Sequence, residues 1–406
     1  MNKFLDAKTG KNVPFNILSG AYAAANTLTG LIPDLYAGLD VVSRELVGFI
    51  PSVTRNASAE RAAVGQNVSY HIAPSLASAN VVPAMVVPEP TDRTIGVGQL
   101  QITKAKLVEF GFVGEEQKGL NTGPGYLSVQ ADLFAQALRT LTNEIEVDLA
   151  TTAYLGASRA FGAAGTTPFA SNVGESAQIR KILDDNGAPA SGRSLIIDTT
   201  AGANLRTLAQ LTKANEAGTT MGLRDGELLN LNGLGIKESA GTQRPAIGTE
   251  ASATTDNAGY AIGATVITLA AVGTGTVLAG DVLTFAGDTN KYIIDTGVGA
   301  VSGGVITLAA PGLKVAIPAS TTAITVVAAT TRNIAFSQNA IHLVARAPAL
   351  PQEGDSALDS FMLVDPRSGL PFEVRLYAGY RKIRAEVAMA WGTGAVKTEH
   401  IAALLG

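Results

Sequence analysis

From Pro51 to about residue 110 the chain contains nothing from which a self-sufficient unit can be built. Val68-Ser69-Tyr70-His71-Ile72 alternates apolar and polar positions, and Ile95 to Val108 alternates again. Pro74, Pro83, Pro88 and Pro90 lie between them and forbid helix. The pattern predicts two ribbon arms joined at a proline-rich, exposed tip, an extended β-hairpin over 51–110. A ribbon of this length does not hold itself together in water and needs a neighbouring surface. Residues 1–50 add little, since short apolar stretches alternate there with glycine and proline. Leu31-Ile32-Pro33-Asp34-Leu35-Tyr36 suits a helical turn or two, and Val41 to Ile50 stops at Pro51. This reads as an arm that drapes over something, so the first 110 residues are expected to be completed from outside.

The remainder holds the material for cores. Phe134, Ala137, Leu138, Leu141, Ile145, Leu149 and Ala153 recur at three- and four-residue steps and predict a helix over 127–158. At about 28 residues it measures roughly 42 Å, long enough to be a beam across a domain. Gly123-Pro124-Gly125 stops it upstream, Gly156 weakens it downstream, and Arg139, Asn143, Glu146 and Thr152 are assigned to a polar face. Residues 172–235 read as an α/β unit. Asn172 and Glu175 match a capping box for a helix through Ile179, Ile182 and Leu183. Ser194 to Asp198 is a short buried strand, Asn204 to Ala217 a second helix, and Leu228 to Ile236 is extended again, with a turn inside Asn230 to Gly235.

Residues 247–331 change character, with only seven charged residues among Ala, Gly, Thr and Val. Val266-Ile267-Thr268-Leu269-Ala270-Ala271 returns as Val305-Ile306-Thr307-Leu308-Ala309-Ala310, and Gly287 to Asn290 makes a turn between Val282–Phe285 and Lys291–Ile294. Five or six short strands predict a small β-barrel or sandwich inserted into its host. After it, Ala340 to Ala345 is extended. Phe361 to Val364 and Phe372 to Tyr377 form a hairpin around Asp365 to Gly369. Ile383 to Trp391 is a strand with Ile383, Ala385, Val387, Met389 and Trp391 on one face.

Chemistry has no visible seat. The absence of cysteine excludes disulfides, thiolate metal sites and cysteine nucleophiles. His71, His342 and His400 sit in separate segments without ligand spacing, and neither a nucleophile elbow nor a phosphate-binding loop appears. Glu115-Glu116 and Asp184-Asp185 are sequence neighbours that point different ways and make no acid–base couple. No catalytic residue, cofactor or metal is therefore expected. Charged residues are only 16%, and 30 Lys and Arg against 34 Asp and Glu leave a net charge of −4, so no global field draws the chain to nucleic acid. One basic cluster stands out: Arg375, Arg381, Lys382 and Arg384. It could pair with Glu373 and Glu386, meet a neighbouring copy, or touch nucleic acid; ion pairing is favoured because Glu373 and Arg375 share a strand face. No stretch reaches a membrane span. Met1 to Lys8 has no apolar run after its lysines, so a protein made and used in a cytoplasm is expected.

Three stretches carry a resemblance. They are Val277-Leu278-Ala279-Gly280-Asp281-Val282-Leu283-Thr284-Phe285-Ala286-Gly287; Arg332 to Val344 with Ala347-Pro348-Ala349-Leu350-Pro351; and Asp365 to Val374 with Tyr380-Arg381-Lys382-Ile383-Arg384 and Trp391-Gly392. In this order the chain resembles the tailed-bacteriophage major capsid (coat) protein family, of the Hong Kong-type fold, in the branch with an inserted β-domain in the axial lobe. The resemblance implies an α+β chain. It would comprise an N-terminal arm (1–50), an extended loop (51–110), a peripheral domain (111–165 and 355–406) with the spine helix, an axial domain (166–246 and 332–354) and the insertion (247–331). It implies a non-enzymatic subunit of an icosahedral shell of pentamers and hexamers around double-stranded DNA, assembled in the bacterial cytoplasm. Its partners would be itself, a scaffolding protein, a portal, non-specifically packaged DNA and a decoration protein. Arg375, Arg381, Lys382 and Arg384 become subunit-interface or inner-wall candidates. One branch of the family welds its subunits through a loop lysine; no lysine lies between Lys11 and Lys104, so a non-covalent shell is expected. A surface-layer or fibre subunit is the alternative, and it leaves the spine helix beside an α/β lobe unexplained.

Overall fold

The computed structural model describes residues 3–5, 12–14, 47–72, 78, 80, 83, 85, 96–120, 126–208, 230–365 and 369–406. Most of the expected arm, most of the ribbon tip, Gly123-Pro124-Gly125, Leu211 to Ala217 and Pro366 to Ser368 lie outside the described residues. The chain is mixed α+β. Strands β1 (Lys3–Leu5) and β2 (Asn12–Pro14) pair with each other. They are followed by β3 (Thr54–Ala62), β4 (Asn67–Ile72), β5 (Gly96–Gln101) and β6 (Lys104–Val113).

Helix α1 (Gly114–Leu120) leads to α2 (Tyr126–Leu155), the expected beam: 30 residues, about 45 Å. All seven of its predicted apolar positions are buried. It ends at Gly156, where a Cβ would stand 2.4 Å from that of Ala395, so the close approach to the sheet requires glycine. Glu146 departs from the sequence reading: assigned to the polar face, it is 2% exposed. The reason is that α2 contributes to one core shared by two sheets, which covers a wider arc than one apolar stripe.

Strand β7 (Arg159–Gly162), helix α3 (Gly174–Asp185), strand β8 (Arg193–Ile197), helix α4 (Thr199–Thr207) and the hairpin of β9 (Asn230–Leu231) with β10 (Leu234–Glu238) make the α/β unit. The capping box does not form. Asn172 Oδ1 accepts from Gly174 N at 2.7 Å, while Glu175 turns back to accept from Phe169 N at 2.7 Å, supporting a buried residue whose φ is 61°. Helix α4 starts five residues before the expected Asn204, because Asp198 caps it through Ala201 N at 3.0 Å.

Strands β11 (Val266–Thr268), β12 (Val282–Phe285), β13 (Lys291–Thr296), β14 (Val305–Leu308) and β15 (Ile324–Val326) follow. The repeated hexapeptide explains itself here: β11 and β14 pair antiparallel, with Ile267 opposite Ile306. Residues between Ala253 and Ile324 supply a core of their own. The segment is not, however, a barrel closed on itself, because β13 bonds β7 through Lys291–Ala160 and Tyr292–Arg159 and so extends the central sheet.

Strands β16 (Arg332–Ser337), β17 (Ile341–Pro348), β18 (Ala357–Val364), β19 (Pro371–Gly379), β20 (Lys382–Ala395) and β21 (Ile401–Leu405) complete the chain. The central sheet runs β11-β14-β13-β7-β21-β16-β8-β10-β9, with β12 attached at β13 and β15 attached at β12. Alternation along its strands feeds two layers. Ile196, Ile334, Phe336, Ala403 and Leu405 join the α2 core, whereas Leu195, Ile197, Ala335, Ala402 and Leu404 pack under α3 and α4. The second sheet runs β18-β19-β20-β17-β3, with β6 on β20. Its Ala385, Val387, Met389 and Trp391 belong to the α2 core, the face expected from sequence.

Of the expected ribbon, the described residues form the pair β4 and β5, from Asn67–Gln101 to Ile72–Gly96. β3 instead runs parallel to β17, and β6 pairs with β20 over ten residues. The break between β5 and β6 falls at buried Ile102 and at Thr103, whose N–H donates to Trp391 O at 3.1 Å. The ribbon touches the body where the Tyr70 ring tilts against half-buried His342 on β17, centroids 5.4 Å apart.

Burial pushes His342 below the ordinary histidine value, and His400 shifts the same way for the same reason. A depressed folded value means the unfolded chain takes the proton first. The histidine contribution to stability is therefore complete above about pH 6.5 and disappears as pH falls through the lowered folded value. Thermal melts between about pH 7 and pH 5 should show wild type losing more stability than His342→Phe; equal losses would remove His342 from the explanation.

Candidate subunit-interface site

The face of the second sheet turned away from α2 carries charge. Register sets Arg375 on β19 opposite Glu386 on β20, and Glu386 opposite Glu109 on β6. Alternation that sends Val374 and Leu376 into the core necessarily sends Glu373, Arg375 and Tyr377 to this side. Glu373, 2% exposed, takes a two-pronged ion pair from Arg61 on β3, Nη2–Oε1 2.6 Å and Nη1–Oε2 3.0 Å. This clamp ties the edge strand to β19, and Arg61 Nη1 also donates to Pro348 O at 2.9 Å.

Arg375, 6% exposed, pairs with Asp355, and its Nε lies 3.3 Å from Glu373 Oε1, an ion-pair distance without hydrogen-bond geometry. Tyr377 joins the groups: its hydroxyl donates to Asp355 Oδ2 at 3.0 Å and lies 3.2 Å from Glu386 Oε1. The guanidinium carbons of Arg375 and Arg384 each stand 5.9 Å from its ring centroid. Arg384 pairs with Glu109 and sits 3.5 Å from Glu386.

The shifts follow. Burial pushes the Glu386 carboxyl up against the opposing pull of Tyr377 and Arg384, and burial raises the Tyr377 hydroxyl. The Ala357 N–H, then Tyr377 and Arg375, hold Asp355 below the usual carboxylate range. Burial opposes the charge on Arg375, but Glu373, Tyr377 and Asp355 outweigh it and leave its value raised.

The four basic candidates thus do not form one cationic patch. Arg375 is enclosed in the network and Arg384 is half-exposed and paired. Arg381 and Lys382 are exposed at the β19–β20 turn, where neither makes an ion pair among the described residues. Arg381 has φ 58°, its carbonyl accepts from Gly114 N at 3.2 Å, and neighbouring Tyr380 is 90% exposed. An open cleft of about 420 Å³, lined by Ser356, Tyr377, Gly379, Lys382, Arg384 and Glu386, lies beside the turn.

Sequence reading missed Arg61, Asp355, Glu109 and Tyr377. Their only local signal is alternation, which puts a residue on a face without telling which strand lies next to it. His71, His342 and His400 occupy β4, β17 and the turn before β21. Among the described residues no group of three or more His, Asp or Glu could hold a metal ion, and no helix is long and apolar enough to cross a membrane.

No family model and no curated protein matches the chain. Among solved structures it is similar to the capsid of the cyanophage P-SCSP1u, with 12% identity, a TM-score of 0.48, and 89% of this chain and 88% of that one covered. It is also similar to the mature capsid of bacteriophage PhiM1, with 10% identity, a TM-score of 0.42, and 88% and 86% covered. A third is Mycobacterium phage Che8, with 13% identity, a TM-score of 0.41, and 84% and 85% covered.

Proposed function

We propose that this chain is the major capsid protein of a tailed bacteriophage, a structural subunit that builds an icosahedral shell of pentamers and hexamers around double-stranded DNA. One observation carries the reading. The β4–β5 ribbon bonds no third strand among the described residues, and it rests on the body through a small cluster of Ala62, Leu100, Ile102, Val344 and Ala390, on which Val68 and Tyr70 pack, and through the Tyr70–His342 ring contact. Its other positions, Asn67, Ser69, His71, Val97, Gln99 and Gln101, are exposed, and the sequence from Ala62 to Pro88 holds no Asp, Glu, Lys or Arg. Such a segment gains stability from surface supplied by other copies. The beam α2, the α/β unit and the three stretches resembling the family support the same reading.

In this reading the periphery (111–165 and 355–406) is built around α2 with β18, β19 and β20, and the axial lobe (166–246 and 332–354) around α3 and α4 with β8, β10 and β16, while β17 joins the second sheet and β7 and β21 join the central one across those bounds. Residues 247–331, with their own core, are the inserted domain. The protein works in the virion shell after assembly in the host cytoplasm. Copies of itself, a scaffolding protein, a portal, packaged DNA and a decoration protein are the partners. The exposed Arg381, Lys382 and Tyr380 suit a contact between subunits, while Arg375 and Arg384 brace the sheet that presents them.

The test is expression with and without a scaffolding partner, imaged by negative-stain electron microscopy. Closed shells of uniform size are expected; open sheets or fibres point to the surface-layer alternative, and small discrete oligomers overturn the assembly reading. Mature particles boiled in detergent should run as a single band at the mass of one chain, since residues 12–103 contain no lysine to crosslink.

A further inference from the structure

Glu146 is a buried carboxylate in the middle of a helix, and its partners come from a segment almost one hundred positions earlier. Oε1 accepts from Gly48 N at 2.6 Å and Phe49 N at 2.8 Å, and Oε2 accepts from Ile50 N at 3.1 Å. These amides open the short 3₁₀ turn Ile50–Ser52, which has no side-chain cap of its own. Glu146 therefore acts as a helix cap supplied from another element. The Ser239 hydroxyl donates to Oε1 at 2.6 Å and fixes the carboxylate from the β10 side.

The same turn is held twice more. Lys237 Nζ donates to Ser52 Oγ at 2.8 Å, and Ser52 Oγ donates to Gly48 O at 2.7 Å. Gly48 lies so close to β8 and β10 that a Cβ would stand 2.8 Å from Ile196 Cγ2 and 2.9 Å from Glu238 O. Phe49, Ile50 and Val53 are buried, and the Phe49 ring stacks parallel to Phe336 with centroids 6.1 Å apart.

We propose that Glu146 is a latch: it sets the conformation in which residues 48–50 are held to the body, and it can open without melting the central sheet. It binds backbone amides, so what it recognises is the conformation of residues 48–50 rather than their side chains. The apolar anchors fix where the segment sits, whereas the carboxylate fixes its backbone conformation. The idea does not depend on the capsid reading, because attachment is a property of the single subunit.

Hydrogen exchange on the full chain tests it, with Glu146→Gln, which keeps the shape but loses the charge, and Glu146→Asp, which draws the carboxylate back by one methylene. Both should speed exchange at Gly48, Phe49 and Ile50 by about 100-fold, as expected when charge-assisted bonds to buried amides are lost. Amides of β8, β16 and β21 should stay within about 3-fold of wild type, showing local opening. Unchanged exchange at 48–50, a parallel rise in the central strands, or failure of both variants to fold would each make Glu146 an ordinary core group and overturn the latch.

Discussion

Trp391→Ala should lower the free energy of unfolding by about 3–5 kcal/mol, the range for emptying a fully enclosed aromatic site. Trp391 is 0% exposed and is the only tryptophan in the chain. It sits where three elements meet: its backbone pairs with Lys104 on β6 and Ala345 on β17, and its Nε1 donates to Asp148 Oδ2 on α2 at 2.8 Å. Lys104 Nζ binds the other oxygen of the same carboxylate at 2.6 Å, so Asp148 keeps one partner after the substitution. The loss is therefore mainly volume and dispersion, and Trp391→Phe, which restores most of the volume, should cost about half as much. Urea titrations followed by circular dichroism measure both, since the variants lose the fluorescent probe. A loss under about 1 kcal/mol for Trp391→Ala would mean that the site collapses around the gap and that α2 is not braced there.

Glu373→Ala should be nearly as damaging, at about 3–5 kcal/mol, but for an electrostatic reason. Removing this 2%-exposed carboxylate takes a counter-charge from two arginines, of which Arg375 is buried while the Arg61 side chain is 36% exposed and open to water. Arg61 loses both prongs of its clamp, and Arg375, itself 6% exposed, keeps only Asp355 and Tyr377. A buried charge without its counter-charge costs more than the pair contributed. The decisive comparison is the double variant Glu373→Ala with Arg375→Met. If stranded charge is the cause, taking away the second arginine should recover stability, so the double variant unfolds at higher urea than the single one. If the two losses simply add, the network is ordinary packing and the electrostatic account fails.

Both sites show which information is local. The beam could be read because Phe134 to Ala153 repeat at a helical period over seven positions, and a long periodic run has few alternative readings. The hairpins could be read because turn residues separate alternating runs: Val282–Phe285 with Lys291–Ile294, and Phe361–Val364 with Phe372–Tyr377, pair as expected. Asn172 and Glu175 could not be read, since a capping box and a loop clasp share one sequence pattern. The choice went to the clasp because Phe169 is buried with a positive φ and its amide needed an acceptor. The candidate interface was half legible. Alternation put Glu373 and Arg375 on one face, but Arg61 reaches them only because β3 runs parallel to β17 at the other end of the chain order.

By itself the sequence determined the period of each element, the face each strand shows its neighbours, and the poverty of core-forming residues in the ribbon. These depend on residues within a few positions of one another, where backbone geometry alone relates them. The tertiary structure decided which strands became neighbours, that α2 is buried on a broad arc, and that Glu146 meets three amides it could not find on its own helix. Those outcomes depend on pairs separated by about one hundred to three hundred positions, and satisfying buried donors and charges is a condition on the assembled core, not on any window of the chain.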